Sequence, residues 1–254
     1  RAVVRDLFPV SETAKIFSIL MLIVGVAPIL APTIGGWVLT VSSWRTIFYF
    51  LTAFSFILIV CVFFFLPESK NPNRAKSLKA KDVLKDYADV FHEKTFLYYA
   101  LASSIAMAGM FAYISGSPFV FMKFHNFTEQ QYGWVFGGNA MGFIIGSQLN
   151  RVLLNKYSSL QVITFASFVL LGISVLMFSL FGLDLLSPSI LIAMIFTFLL
   201  SLGLLVPNCT ALALAPFTYN AGSASALIGF IQMITGAGVS ALVSILHNGT
   251  VFPM

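Results

Sequence analysis

The sequence predicts an all-α polytopic membrane protein, and three observations indicate this fold class. Hydrophobic residues make up 59% of the 254 residues and charged residues only 9%, which is too few charges to cover the surface of a soluble protein of this length. Seven apolar runs are each long enough to cross a bilayer as a helix. Lysine and arginine are also distributed unevenly between the connections of these runs.

The seven runs, numbered first to seventh in chain order, each have about the 20 residues that a spanning helix needs. Their ranges are Ile16–Leu39, Thr46–Leu66, Phe96–Phe121, Tyr132–Leu154, Val162–Leu183, Ile190–Leu214 and Ala224–Leu246. The fourth run is the weakest by hydropathy, because Asn139, Gln148 and Asn150 interrupt it.

The charges of the connections predict the orientation in the bilayer. Of the 14 lysines and arginines, all but Arg45 and Lys123 lie in one set of alternate connections. Because connections rich in Lys and Arg stay on the cytoplasmic side, that set is expected to be cytoplasmic. The chain should therefore start inside, cross the lipid bilayer seven times and end outside.

The only long polar segment runs from Pro67 to about Thr95 and divides the chain unequally. It separates residues 1–66, with two runs, from residues 96–254, with five. Within it, Leu78, Leu84, Tyr87 and Phe91 alternate with charges, and this spacing indicates an amphipathic helix on the cytoplasmic membrane face.

Small residues form two stripes at helical spacing. In the first run, Gly25–Trp37 contains two prolines four residues apart, which a span tolerates only when neighbouring helices shelter the loosened backbone. Its two rows are Ala27, Ala31 and Gly35, and Pro28, Pro32 and Gly36. The fourth run carries Gly138, Gly142 and Gly146. Each glycine alone suits an ordinary packing face, but the two stripes together suggest that two helix bundles meet along them.

Four stretches resemble the bicyclomycin-resistance type of drug:proton antiporter, in the major facilitator superfamily. They are Arg1–Phe8, the double-proline run that ends Gly35-Gly36-Trp37, Trp44–Phe48, and Gly109–Phe119, which is similar to the seventh helix of that group. The resemblance covers essentially the whole chain. It implies a bacterial inner-membrane protein that works as a monomer and needs no cofactor.

The resemblance also implies a partial major facilitator fold. The whole fold has twelve helices in two halves of six, related by pseudo-symmetry. This chain would hold the end of helix 4, helices 5 and 6, the cytoplasmic central loop and helices 7 to 11, about 7 of the 12, and lack helices 1 to 3, most of helix 4, and helix 12. The helix 5 antiporter motif would fall on Pro28, Ala31, Pro32, Gly35 and Gly36. Its usual glycines are replaced at Ser18, Ala27 and Ala31, so that only Pro32, Gly35 and Gly36 match the strict pattern.

The activity that the resemblance implies is export of amphiphilic drugs in exchange for protons. The two halves would rock about a central cavity and expose it to one side of the membrane at a time. In the family, helix 5 packs against helix 8, and the first and fourth runs would supply that contact here.

Polar and aromatic residues within the runs are the candidate substrate contacts. They are Tyr113, Ser115, Ser117, Phe119, Asn139, Asn208 and Gln232. Polar groups in lipid are costly, so these side chains should face the protein interior or a wet cavity. The alternative is that they form hydrogen bonds between helices. Phe119, with Phe111 and Phe136, is a candidate apolar wall of such a cavity.

Charged groups are confined to the ends of the runs. None of the seven runs contains Asp or Glu, so a proton-coupling carboxylate is expected in helices that the runs do not include. Arg5 and Asp6 are interpreted as gate or charge-pair elements, and Arg45 as an interface anchor beside Trp44. The sequence contains no metal-ligand spacing, and no metal or cofactor is predicted.

Three other classes of protein are alternatives. A seven-helix receptor should have its N-terminus outside, whereas the charges place this one inside. A membrane enzyme needs clustered catalytic groups, which the runs lack. A major facilitator carrier for a specific small metabolite, such as a sugar or an amino acid, stays open. The uncharged runs favour neutral or cationic lipophilic cargo over it.

Overall fold

A computed structural model of the chain describes residues 2–9, 12–20, 22–23, 34, 38, 41–66, 80–183, 185–217 and 220–246. These residues form helices and short connections, and none of them is in a strand. Residues 12–20 are helical. The remaining helices are α1 (Ala2–Leu7), α2 (Trp44–Phe65), α3 (Ala80–His92), α4 (Lys94–Pro118) with a following π-helical turn (Phe119–Phe124), α5 (Glu129–Leu153), α6 (Ser159–Gly182), α7 (Pro188–Leu214) and α8 (Ala221–Ile245).

Five of the described helices are long and apolar enough to cross a membrane: α2, α4 with its π-helical turn, α6, α7 and α8. They coincide with the second, third, fifth, sixth and seventh runs, and the all-α polytopic fold class is confirmed. The fourth run forms α5, which is 25 residues long but is not among the five. Buried polar side chains such as Asn139, Ser147 and Asn150 explain its lower hydropathy. Most of the first run beyond residue 23 lies outside the described residues.

The starts of α5 and α6 follow from short capping sequences. At α5, the Thr128 hydroxyl accepts a hydrogen bond from the backbone N–H of Gln131 (3.2 Å), and the Gln131 side chain accepts one from the backbone N–H of Thr128 (2.9 Å). Ser158 and Gln161 repeat this capping box at α6. Each box satisfies two backbone donors that a helix start otherwise leaves unpaired.

Replacing Thr128 with alanine should therefore destabilise the protein by about 1 kcal/mol, the usual contribution of a helix cap. Thermal unfolding in detergent would measure this loss. Thr164→Ala is the matched control. The Thr164 hydroxyl lies within α6 and donates to the carbonyl of Leu160 one turn earlier, so it caps no helix end. An equal loss in both variants would contradict a capping role for Thr128.

Helix α7 forms the centre of the bundle. Helices α4, α5 and α6 all pack against it, and Leu202, Leu204 and Val206 on α7 are at most 2% exposed. Helix α4 also packs along α8. Helix α2 differs, since none of its side chains is buried. Its apolar surface therefore faces lipid or parts of the protein outside the described residues.

Helices α5 and α7 approach each other closely enough for their backbones to touch. A Cβ atom at Gly142 would lie 2.6 Å from the carbonyl oxygen of Phe196, and one at Gly146 would meet the backbone of Leu200. On the facing side, a Cβ atom added at Gly203 of α7 would lie 2.6 Å from the backbone nitrogen of Ser147 on α5. The structure thus pairs two of the three glycines of the stripe with α7, whereas the sequence favoured the first run as their partner.

Gly138, the remaining glycine of the stripe, is exposed. A Cβ atom added there would have no described atom within 4 Å. A contact between Gly138 and the first run stays a prediction. Gly142 and Gly146 meet α7 because a row of small residues fits any close helix, and α7 has a glycine of its own, Gly203, where the two helices cross.

Helix α3 occupies part of the long polar segment. Val90 is fully buried, while Leu84 and Phe91, seven residues apart, are exposed. Helix α3 contacts the start of α4 and also α8. The expected amphipathic helix is therefore present, and its placement on the membrane face stays a prediction.

Candidate functional site

Tyr113 and Asn139 form a polar pair between α4 and α5. Both are buried, and the Asn139 amide Nδ2 donates a hydrogen bond of 3.3 Å to the Tyr113 hydroxyl. The Tyr113 ring stacks on Phe136, with ring centroids 5.7 Å apart and ring planes at 13°. Asn139 Oδ1 is buried and has no hydrogen-bond partner among the described residues. A buried acceptor without a donor is costly, so this atom is available to a ligand or a water molecule.

Three further candidates follow Tyr113 on α4 and the π-helical turn. Ser117 is buried and its hydroxyl shares a 2.9 Å hydrogen bond with the hydroxyl of Tyr132 on α5. Ser115 is exposed in the described part of the chain. Phe119 is half-buried at the start of the π-helical turn and packs against the core. The π-helical turn follows Pro118, which ends the regular hydrogen bonding of α4.

An apolar cavity of about 290 Å³ lies between α4, α6 and α7, and Tyr113 forms part of its wall. The other wall residues include Gly109, Met177, Phe181, Ile195 and Phe198, and none of the lining residues is charged. The lack of a side chain at Gly109 lets the Phe198 ring approach, because a Cβ there would lie 2.5 Å from Phe198 Cζ. The volume lies near the lower end of the range for small-molecule sites.

The remaining two candidates lie in other hydrogen-bonded groups. Asn208 on α7 donates from Nδ2 to Asn150 Oδ1 on α5 (2.5 Å) and to the carbonyl of Leu204 (2.8 Å). Gln232 on α8 donates from Nε2 to the hydroxyl of Ser103 on α4 (3.3 Å). Both side chains are buried. For these two, the structure shows the helix-to-helix hydrogen bonds that were the alternative to substrate contact.

The charged candidates and the proline motif are only partly described. Arg45 is exposed, and its guanidinium lies 4.8 Å from the centre of the Trp44 ring, which suits a cation–π contact at the membrane interface. The backbone of Arg5 and Asp6 belongs to α1, but their side chains lie outside the described residues. The motif residues Pro28, Ala31, Pro32, Gly35 and Gly36 also lie outside them.

One titratable group near the site, outside the spans, has a shifted pKa. Partial burial lowers the pKa of His125, which follows the π-helical turn, because a desolvated imidazolium is disfavoured. The ring is therefore neutral at pH 7.

Of the residues that the sequence singled out, Tyr113 lines the cavity, whereas Asn139 and the candidate wall residues Phe111, Phe119 and Phe136 are not among its lining residues. Nothing in the sequence indicated the side of the cavity that α6 forms. Met177 and Phe181 carry no signal that separates a cavity wall from a lipid-facing position, since both environments are apolar. The arrangement as a whole provides an uncharged, apolar recess with the Tyr113 side chain in its wall. It can hold an apolar group and orient a polar one, and it contains no nucleophile–base pair among the described lining residues.

The fold is that of a polytopic helical membrane protein, with an uncharged apolar cavity between three of its helices. The chain belongs to the Major Facilitator Superfamily, whose family model matches residues 1–241. This is a family of transporters rather than enzymes.

Several bacterial proteins are similar to the chain. An "Uncharacterized MFS-type transporter YdgK" of Bacillus subtilis is 30% identical over the whole chain, and a "Bicyclomycin resistance protein homolog" of Haemophilus influenzae is 27% identical over the whole chain. The "Multidrug resistance protein MdtM" of Escherichia coli is 28% identical over 52% of the chain and 32% of its own length. The chain spans 63% of the length of each of the first two relatives.

Proposed function

We propose that the chain forms part of a secondary active transporter that exports amphiphilic drugs in exchange for protons by alternating access. The observation that carries this proposal is the uncharged apolar cavity with Tyr113 in its wall, whose hydroxyl accepts a hydrogen bond from Asn139. A cavity of this kind accepts the apolar body of an amphiphile, and the Tyr113 hydroxyl in its wall can donate a hydrogen bond to the polar end. The names of two relatives, which mention bicyclomycin and multidrug resistance, support the same substrate class.

The proposal includes an orientation and a division of the chain. The ends rich in Lys and Arg face the cytoplasm of a bacterium, and the segment from residue 67 to residue 95 is the central loop between the two halves. Residues 1–66 then belong to the N-terminal half and residues 96–254 to the C-terminal half. The transporter works as a monomer.

Proton coupling requires a titratable group in the transport pathway. The described spans contain no Asp or Glu apart from Glu129 at the first residue of α5. The proposal therefore assigns the coupling carboxylate to helices outside the seven runs. The described helices would supply the substrate cavity.

Export of a fluorescent lipophilic cation by the complete protein would test this function. In cells that lack their own drug pumps, we expect the protein to lower accumulation of the dye, and a protonophore to abolish this effect. The control is Ile195→Trp, which fills the cavity with a larger side chain. Any lowering of dye accumulation that this variant still shows is due to dye binding to membranes and not to export. Correctly inserted protein that exports no lipophilic cation would contradict drug export and favour the carrier for a specific small metabolite.

A further inference from the structure

A chain of buried hydrogen bonds joins residues that precede the central polar segment to α5 and α7. The hydroxyl of Ser18 accepts a 2.7 Å hydrogen bond from Asn150 Nδ2, and Asn150 Oδ1 accepts the 2.5 Å bond from Asn208 Nδ2. Ser18 in turn donates to the carbonyl of Ala14 (2.9 Å). The side chains of Ser18, Asn150 and Asn208 are 0% exposed, and we call these three residues the latch.

Asn150 is the centre of the latch. Its Nδ2 donates to Ser18, 132 residues away in sequence, and its Oδ1 accepts from Asn208, 58 residues away. Both polar atoms of the side chain are therefore hydrogen-bonded to distant parts of the chain. Such a side chain holds two partners in one relative position, because rotating the amide breaks both bonds. The latch therefore favours one arrangement of residues 12–20 against α5 and α7.

An apolar cluster surrounds the same contact. Ala14 and Phe17, from the helical residues 12–20, are buried together with Val90 of α3, Phe96 of α4 and Leu214 of α7. Two more bonds cross the contact at its edge, from Gln148 Nε2 to the carbonyl of Ser18 (3.4 Å) and from Lys15 Nζ to Asn155 Oδ1 (2.8 Å). The cluster lies at the end of the described helices where Lys94 begins α4 and Arg151 lies in the last turn of α5, the cytoplasmic end in the proposed orientation.

We propose that the latch holds the cytoplasmic end of the transport pathway closed and that it opens whenever the protein exposes its site to the cytoplasm. The proposal rests on the proposed function, because it is alternating access that requires the cytoplasmic end to open. The two segments lie on opposite sides of the central polar segment, so movement of one half against the other must separate Ser18 from Asn150. By contrast, the Asn150–Asn208 bond and the glycine contact lie within residues 96–254 and stay intact.

The strength of a single intramembrane hydrogen bond suits a contact that forms and breaks in each cycle. Measured values average a change of about threefold in an equilibrium constant. The Ser18–Asn150 bond can therefore bias the protein towards the closed state without trapping it there. Removing it should move the equilibrium towards the open state by about the same factor.

Accessibility of a cysteine at position 14 would test the latch without any substrate. The complete protein would carry Ala14→Cys, with Cys61 and Cys209 replaced by alanine, in inside-out vesicles. A membrane-impermeant thiol reagent then reaches position 14 only when the cytoplasmic end is open. We expect Ser18→Ala and Asn150→Ala each to raise the labelling rate about threefold. The double variant should match Asn150→Ala, because that substitution already removes the Ser18–Asn150 bond together with the Asn150–Asn208 bond.

Asn155→Ala is the matched control, since it removes an exposed bond at the edge of the same contact. We expect it to leave the labelling rate unchanged. Ser18→Ala deletes only a hydroxyl, and unchanged melting temperature would show that it folds normally even if Asn150→Ala does not. Unchanged labelling in folded Ser18→Ala would overturn the latch. Because labelling needs neither drug nor proton gradient, failure of drug export with latch-dependent labelling would count against the proposed function alone.

Discussion

Replacing Gly146 with alanine is expected to separate α5 from α7 and to lower the free energy of unfolding by about 2 to 3 kcal/mol, the upper part of the range for overpacking. The added Cβ would overlap the backbone of Leu200, and a backbone cannot turn aside as a flexible side chain can. Separating the helices would also expose the facing contact at Gly203. Unfolding in detergent, followed by circular dichroism, would measure the loss.

Gly172→Ala is the matched control for this substitution. Gly172 lies within α6 at an exposed position, and no described atom lies within 4 Å of an added Cβ. Alanine there should leave stability unchanged or slightly higher, because alanine is the better helix former. Equal losses at Gly146 and Gly172 would contradict the backbone contact between α5 and α7.

Replacing Tyr113 with phenylalanine should lower the transport efficiency of the complete protein by about tenfold, the upper range for loss of a neutral hydrogen bond. The substitution keeps the ring that stacks on Phe136 and removes only the hydroxyl bonded to Asn139. If the pair orients the polar end of a substrate, the loss should be confined mainly to the apparent KM. The concentration dependence of drug export would separate KM from the maximal rate.

Ser179→Ala provides the control for this experiment, since Ser179 is exposed on α6 and its hydroxyl bonds only the Val175 carbonyl of its own helix. We expect normal export from this variant. A Tyr113→Phe protein with normal KM for all drugs tested would show that the Tyr113–Asn139 bond only joins α4 to α5. A lower melting temperature together with a lower maximal rate, at an unchanged KM, would likewise show that the bond serves only to join α4 to α5.

The sequence was sufficient for the properties that depend on local hydropathy. A helix in lipid must satisfy its own backbone hydrogen bonds, so a sufficiently long apolar run predicts a spanning helix whatever surrounds it. For this reason α2, α4, α6, α7 and α8 fall on predicted runs. The capping boxes at Thr128 and Ser158 are also local, because each joins residues only three apart in the chain. The sequence also identified Tyr113 and Asn139 as unusual, because polar groups within apolar runs are costly.

Only the tertiary structure decided which residues meet. A glycine stripe fits any helix that can come close, and the partner of Gly142 and Gly146 proved to be α7, where Gly203 completes the contact. The walls of the cavity on α6 look like lipid-facing residues in sequence. In the sequence, Asn150 interrupts the fourth run and continues its row of small residues, and neither feature indicates that it joins Ser18 to Asn208. In each case the deciding interaction links residues far apart in the chain, and hydropathy carries no information about such pairs.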